Sequence, residues 1–166
     1  IEANFQGSSL KMMCRPMTGY FMAQVDGSEP FKVGFNAERD SVVTLATALP
    51  KGVHHVKVMY VIEGLFRNPE FRGFVLDKGC KLVEAPALSE RKIEFIGNSI
   101  TCGYGVESIE MSDPFEDETE NHWLTYANII SDSLKAQHTS ISRSGIGVYR
   151  NYDGPKTGSA ENMPWQ

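Results

Sequence analysis

A β-sandwich over residues 1–88, followed over residues 89–166 by the first part of a parallel α/β domain, is the mixed fold this sequence predicts. Three observations carry it. Before residue 88 the chain is a series of short alternating segments separated by turn residues, and no helix-period stretch interrupts them. Ala85-Pro86-Ala87-Leu88-Ser89 then reads as a linker. After it an apolar strand, Ile93 to Ile96, runs straight into Gly97-Asn98-Ser99-Ile100-Thr101, and a helical period and a second short strand follow.

The sandwich elements come in order. Ile1, Ala3 and Phe5 alternate with polar neighbours, as a half-buried strand requires. Tyr20 to Val25 ends at Asp26-Gly27, a strong turn dipeptide. Ser41 to Ala46 is a further short strand, and Pro50-Lys51-Gly52 turns the chain. Val53 to Glu63 alternates, with Val56, Val58, Tyr60 and Ile62 on one face. Phe71 to Leu76 and Lys81 to Val83 flank the turn Asp77-Lys78-Gly79-Cys80. Turns at this spacing argue for two packed sheets.

The second region opens with the serine loop. Residues 107 to 121 hold seven acids and no base. A helix is expected from about His122 to Gln137, where Trp123, Ala127, Ile130 and Leu134 recur at helical spacing. Thr119 and Asn121 are the alternatives for its cap, and Lys135 and His138 suit its C-terminal end. Thr139 to Ser142 supplies a second strand leading into Arg143-Ser144-Gly145-Ile146-Gly147-Val148. Strand, helix, strand in that order implies a right-handed crossover and a parallel pair. Two strands and one helix cannot cover both faces of a parallel sheet, and Tyr152 to Gln166 offers no third strand. The chain is therefore expected to be a fragment, cut within its second domain.

Composition sets outer bounds. The 166 residues are 41% hydrophobic and 22% charged, too apolar for disorder. A net charge of −5 shows no basic footprint for nucleic acid. No apolar run approaches the roughly 18 residues of a membrane span. The chain starts at Ile1 rather than Met, so its compartment and oligomeric state are not legible. Cys14, Cys80 and Cys102 form no Cys-x-x-Cys pair, which argues against structural zinc. One disulfide with a free thiol, or three buried thiols, both remain open.

Ser99 sits at the carboxyl end of a parallel strand, where ligands and chemistry collect in open α/β sheets. Backbone N–H groups at the following helix start can stabilise an oxyanion. The structural alternative is a serine that caps the helix or forms a turn. Ser144-Gly145-Ile146-Gly147 follows the neighbouring strand and reaches the same sheet edge, where a glycine N–H can point at an oxygen held at Ser99; the alternative is a turn that needs positive φ. No histidine stands out as a base. His54 and His55 read as structural, His122 opens the helix beyond the acidic loop, and His138 lies at a helix end. The acidic run lacks calcium-loop spacing and reads as solvated. Tyr104, Trp123 and Tyr149 are candidates for a sugar-facing wall, Trp123 more naturally as core.

The segment Ile93-Glu94-Phe95-Ile96-Gly97-Asn98-Ser99-Ile100-Thr101-Cys102-Gly103-Tyr104-Gly105 resembles the first block of the SGNH (GDSL-type) hydrolases, and within them carbohydrate esterase family two. The Gly52-Val53-His54-His55-Val56 strand followed by Glu63 resembles that family's small jelly-roll domain; Glu120-Asn121 and Ser144-Gly145-Ile146-Gly147-Val148 also match. The resemblance covers most of the chain. It implies an acetyl xylan esterase-like enzyme acting on acetylated oligosaccharide or polysaccharide, with neither metal nor organic cofactor. It implies Ser99 as nucleophile, the Ser99 and Gly145 N–H groups as oxyanion donors, and a secreted or periplasmic bacterial setting. The family's third donor, an asparagine, and its catalytic histidine have no match here and are expected beyond Gln166, so the chain alone is expected to be inactive. Asn98 departs from the aspartate usual in the wider superfamily and removes a charge beside the nucleophile. A carbohydrate-binding module with an inert hydrolase remnant, and a thioesterase or lipase of the same superfamily, are the alternative functions.

Overall fold

The computed structural model describes residues 1–39, 41–64 and 67–160. Two compact units appear. One holds Ile1–Tyr60 and Gly64–Ala87; the other holds Val61–Glu63 and the residues from Leu88 onward.

The first unit is built from seven strands: β1 (Glu2–Gln6), β2 (Leu10–Cys14), β3 (Gly19–Val25), β4 (Phe31–Phe35), β5 (Val42–Ala46), β6 (Val53–Tyr60) and β7 (Phe71–Leu76). They form two antiparallel sheets, a four-stranded one in the order β1-β6-β3-β4 and a three-stranded one in the order β5-β2-β7. Side chains from both sheets meet in one core: Phe5, Phe21, Ala23, Val25, Val33, Phe35, Val56 and Val58 from the first, Leu10, Met12, Cys14 and Leu45 from the second. The period of two that puts alternate side chains on one face is plain in β2, where Leu10, Met12 and Cys14 are buried and Lys11 is exposed. Asp26 and Gly27, with φ of 52° and 69°, make the primed turn after β3, closed by Ser28 N–H donating to the Val25 carbonyl at 2.9 Å.

Three sequence expectations need correction here, and the open choice between a disulfide and free thiols is resolved. Strands β2 and β4 lay outside the expected set. Lys81 to Val83 is no strand; a single bridge joins Leu82 to Phe5. The strand expected to reach Glu63 ends at Tyr60, because Val61, Ile62 and Glu63 fold with the second unit. All three cysteines are free thiols, Cys14 and Cys102 buried.

His54 and His55 have structural partners. His54 Nδ1 lies 2.6 Å from an Asp26 carboxylate oxygen, and its Nε2 is 2.8 Å from the Pro50 carbonyl. The hydrogen bond that His54 donates to the Asp26 carboxylate, helped by the Pro50 carbonyl and opposed by burial, raises the His54 pKa above its ordinary 6.5. A raised histidine stabilises the fold fully below the unfolded pKa, and that contribution is lost as pH rises through the folded-state value. Urea midpoints of the first unit should therefore fall as pH rises from about 6 to about 9, and His54→Gln should flatten the trend. A midpoint indifferent to pH, or a trend that survives the substitution, would sink the assignment.

The second unit contains β8 (Lys92–Gly97), α1 (Ser99–Cys102), 3₁₀ turns at Asp117–Thr119 and His122–Leu124, α2 (Tyr126–Ser133) and β9 (Gln137–Ser142). β8 and β9 pair in parallel, with Ile93 opposite His138 and Gly97 opposite Ser142. The expected helix from His122 to Gln137 is shorter and interrupted. Asn121 Oδ1 accepts the Trp123 N–H at 3.1 Å and Thr125 Oγ donates to the His122 carbonyl at 2.8 Å, so side chains compete with the helical ladder and confine the first turn to 3₁₀ geometry. Lys135, at φ 50°, then turns the chain into β9. Trp123 and Ala127 are buried as the helical stripe required, but Ile130 and Leu134 are exposed; the buried positions of α2 are Ala127, Asn128 and Ser131. His138 lies on β9 rather than at a helix end. No strand occurs between Tyr152 and residue 160, and the rest of the tail lies outside the described residues. No described helix is long and apolar enough to cross a membrane.

Candidate active site

Ser99 is the first residue of α1, immediately beyond the carboxyl end of β8. The cap is its neighbour: Asn98 Oδ1 accepts the Ile100 N–H at 3.1 Å, and the Asn98 carbonyl takes the N–H groups of Thr101 and Cys102 at 3.0 Å. The capping role that competed for Ser99 thus belongs to Asn98. This also accounts for asparagine there, since an amide oxygen caps without needing a charge.

Gly97 is required by close approach. A Cβ on it would lie 1.8 Å from Thr101 Oγ, because α1 folds straight back over the strand end. Thr101 is buried and fixed: its hydroxyl is 2.7 Å from the Tyr126 hydroxyl, and its carbonyl accepts from His122 Nδ1 at 2.7 Å. Gly103, at φ 90°, closes α1 by donating to the Ser99 carbonyl at 3.0 Å.

The second loop leaves the neighbouring strand at the same edge. Gly97 pairs with Ser142, and the Arg143 N–H extends the ladder to the Gly97 carbonyl at 3.3 Å. Gly145 has φ 78°, so its backbone alone accounts for the glycine. The Gly145 carbonyl accepts from the Tyr152 N–H at 2.7 Å, and the Gly147 N–H donates to Asn151 Oδ1 at 3.1 Å. Among the described residues no acceptor takes the N–H of Ser99 or of Gly145. Both sit where backbone donors can face a developing oxyanion.

Two acids stand out that local pattern reading left without a role, Glu120 buried and Glu63 half-buried. Glu120 is 1% exposed, an exception within the otherwise mostly exposed acidic run. Its Oε2 accepts the Glu63 N–H at 3.1 Å, and Glu63 Oε1 accepts the Ser144 N–H at 2.7 Å. With Cys102 they form the one group of three potential metal-ligating side chains among the described residues, ligand atoms within 4.8 Å of one another. Burial foremost, with Glu63 and Glu120 adding to it and a Ser142 hydrogen bond opposing, pushes the Cys102 thiol up to about 12. A protonated thiol and two carboxylates already accepting N–H groups make a hydrogen-bonded knot rather than a metal centre. Elsewhere in the acidic run Asp113 caps its own loop, accepting from the N–H groups of Ile109 and Glu110.

His122 and His138 face each other, Nε2 to Nε2 at 3.1 Å, with Ser140 Oγ also 3.1 Å from His122 Nε2. Burial lowers the His122 pKa, against the pull of the Thr101 carbonyl. Both His122 nitrogens are engaged, which leaves this ring without the free nitrogen that a general base needs. Of the three aromatics considered for a sugar-facing wall, Trp123 is buried, while Tyr104 is exposed and stacks on Phe115 at 4.0 Å, and Tyr149 is exposed.

Comparison with known proteins fits this geometry. Residues 1–86 match the family model described as the carbohydrate esterase 2 N-terminal domain. The chain is 38% identical over 157 residues to the cellulase/esterase CelE of Acetivibrio thermocellus, covering 93% of this chain and 19% of that protein. It is 30% identical over 155 residues to an acetylxylan esterase / glucomannan deacetylase of Cellvibrio japonicus, covering 92% of this chain and 42% of that protein. Among solved structures, a family two carbohydrate esterase from Clostridium thermocellum in complex with cellohexaose superposes with a TM-score of 0.80 at 37% identity, over 92% of this chain and 47% of that one. The chain thus spans less than half the length of each of these relatives. With more than half its residues matched by the family's own N-terminal model, and β8, the Ser99 turn and the Gly145 loop following in order, the chain belongs to carbohydrate esterase family 2.

Proposed function

We propose that this chain carries the nucleophile and part of the oxyanion site of an esterase that removes O-acetyl groups from plant-type polysaccharide. The observation that carries the reading is the parallel register of β8 and β9, which sends the Ser99 turn and the Gly145 loop off the same edge. In the reaction, Ser99 Oγ attacks the acetyl carbonyl carbon and gives its proton to a histidine. The tetrahedral oxyanion takes hydrogen bonds from the Ser99 and Gly145 N–H groups. Collapse breaks the bond to the sugar oxygen, which leaves with the proton, and acetyl-serine remains. Water then attacks the acyl carbon, giving a proton to the histidine, and collapse releases acetate as that proton passes to Ser99 Oγ.

The histidine is proposed to come from outside residues 1–166, since His54 and His122 are already engaged and His138 faces His122. The chain alone is accordingly proposed to be inactive. We further read the first unit as the family's jelly roll, the second as the opening part of its SGNH α/β/α domain, and the setting as secreted or periplasmic, where polymeric substrate is met. The relatives' names, acetylxylan esterase and glucomannan deacetylase, support the substrate class.

The test uses the protein from the complete reading frame. It should release acetate from acetylated xylan or glucomannan, and a 4-nitrophenyl phosphonate should label one serine, found by peptide mass at Ser99. Label on another serine, or activity confined to long acyl chains, would replace the reading. A second reading is favoured by the cellohexaose held by the similar Clostridium structure and by the exposed Tyr104–Phe115 stack: glycan binding without turnover. Cellohexaose affinity with no acetate release would select it.

A further inference from the structure

We propose that Glu63 is a positioning residue for this reaction, one carboxylate that holds the Gly145 loop in register with the turn that carries Ser99. The inference rests on the esterase reading above and names a residue that acts through the oxyanion donors rather than on the substrate.

The β8–β9 ladder aligns Gly97 with Ser142 and gives one more bond, from the Arg143 N–H to the Gly97 carbonyl. Beyond it the two loops have no ladder in common, yet an oxyanion site needs its donors held within a few tenths of an ångström. Glu63 supplies a connection. Its Oε1 accepts the Ser144 N–H at 2.7 Å, fixing the peptide next to the one that carries the Gly145 N–H. A carboxylate oxygen of the same side chain also lies within 4.8 Å of the thiol sulfur of Cys102, the last residue of α1 and three beyond Ser99. One side chain therefore reaches both loops.

Glu63 is itself held. Its N–H donates to Glu120 Oε2 at 3.1 Å, and Glu120 is almost completely buried. The next residue, Asn121, donates its N–H to the carbonyl of Gly103, the residue that closes α1, at 3.1 Å. Downstream, the Tyr152 N–H on the Gly145 carbonyl fixes the far side of the same loop. With both flanks of the Ser144–Gly145 peptide tied, the direction of the Gly145 N–H is set. The bond to Ser144 requires an acceptor oxygen at that place, and an amide oxygen offers the same one, so glutamine should serve where alanine cannot.

The experiment compares Glu63→Ala, Glu63→Gln and Ser99→Ala in the complete protein, with 4-nitrophenyl acetate kinetics, phosphonate labelling rate and thermal unfolding. Loss of one oxyanion donor costs about 10²–10³ in kcat. Glu63→Ala should lower kcat and the labelling rate by about 10²-fold with KM within about twofold. Glu63→Gln should stay within about fivefold of wild type. If Glu63→Ala does not fold, Glu63→Asp, one methylene short of Ser144, takes its place, with about a tenfold loss expected. A folded Glu63→Ala at the wild-type rate, a Glu63→Gln as impaired as alanine, or a loss that lies in KM overturns the inference while Ser99→Ala remains inactive. Ser99→Ala at the wild-type rate removes the esterase reading itself, and this inference with it.

Discussion

Alanine in place of Ser99 is expected to lower kcat for acetate release by about 10⁴-fold or more, with almost no change in stability. The first half follows from the bond proposed to form: without its hydroxyl, position 99 has no oxygen to take the acetyl. The nearest thiol, Cys102, is buried and pushed up to about 12, so it stays protonated and out of reach as a substitute nucleophile. The proposed oxyanion donors remain, and donors with substrate binding alone leave a residual of roughly 10³–10⁴ over water in the protease case. The second half follows from the cap. Asn98, not Ser99, satisfies the Ile100 N–H. Removing the Ser99 hydroxyl therefore costs no capping bond, and the melting temperature should hold within about 2 °C. Steady-state kinetics on the complete protein and a melting curve decide both halves. More than about a hundredth of the wild-type kcat in the variant would remove Ser99 from the chemistry.

The second large effect is structural. Gly103→Ala is expected to destabilise the second unit by about 3 kcal/mol or more. Gly103 holds φ 90°, a conformation that alone costs a residue with a Cβ about 1–2 kcal/mol. The added carbon would also lie 2.5 Å from the Asn121 carbonyl oxygen and 2.7 Å from the Asn121 carbonyl carbon. Both are backbone atoms, and Asn121 is pinned by its own N–H to the Gly103 carbonyl and by its side chain to the Trp123 N–H. Overpacking against atoms that cannot swing away adds about 1–3 kcal/mol. Gly27→Ala separates the two causes. It too has positive φ, 69°, but a Cβ there meets nothing within 4 Å, so its cost should be about 1 kcal/mol. Urea unfolding reads the difference, followed by tryptophan fluorescence for the second unit, which holds Trp123, and by far-UV circular dichroism for the strands of the first. Equal losses for the two variants would refute the packing argument.

The contrast between what pattern reading caught and what it missed is physical. Strands such as β3 and β6 announce themselves through β-branched and aromatic alternation bounded by turn residues. β2 alternates just as cleanly, but with Leu10, Met12 and Cys14, types that carry little strand preference. β4 is preceded by Pro30 and contains Gly34, both poor strand formers. The helical stripe through Trp123 and Ala127 continued on paper to Leu134, yet the polar side chains of Asn121 and Thr125 break the helix in between. At the candidate site, Ser99 and Gly145 are singled out by their neighbours in sequence. The hydrogen bonds of Glu63 are not legible in that way, because its partners lie 57 and 81 residues away, and no local window contains them.

That separation bears on modularity. Chain order suggests that the first unit could be exchanged for a relative's at the Ala85–Ser89 segment. Yet residues 61–63, embedded within the coding stretch of the first unit, belong to the second. Val61 gives its carbonyl to the His122 N–H at 2.9 Å, and Glu63 takes the Ser144 N–H. A swap made at that linker would carry these residues away with the wrong partner, leaving the Ser144 amide without its acceptor. The two units are thus interleaved in the gene, and mutations in one would constrain the other. Selection on the serine loop would then reach back into the three residues that follow a strand of the other unit.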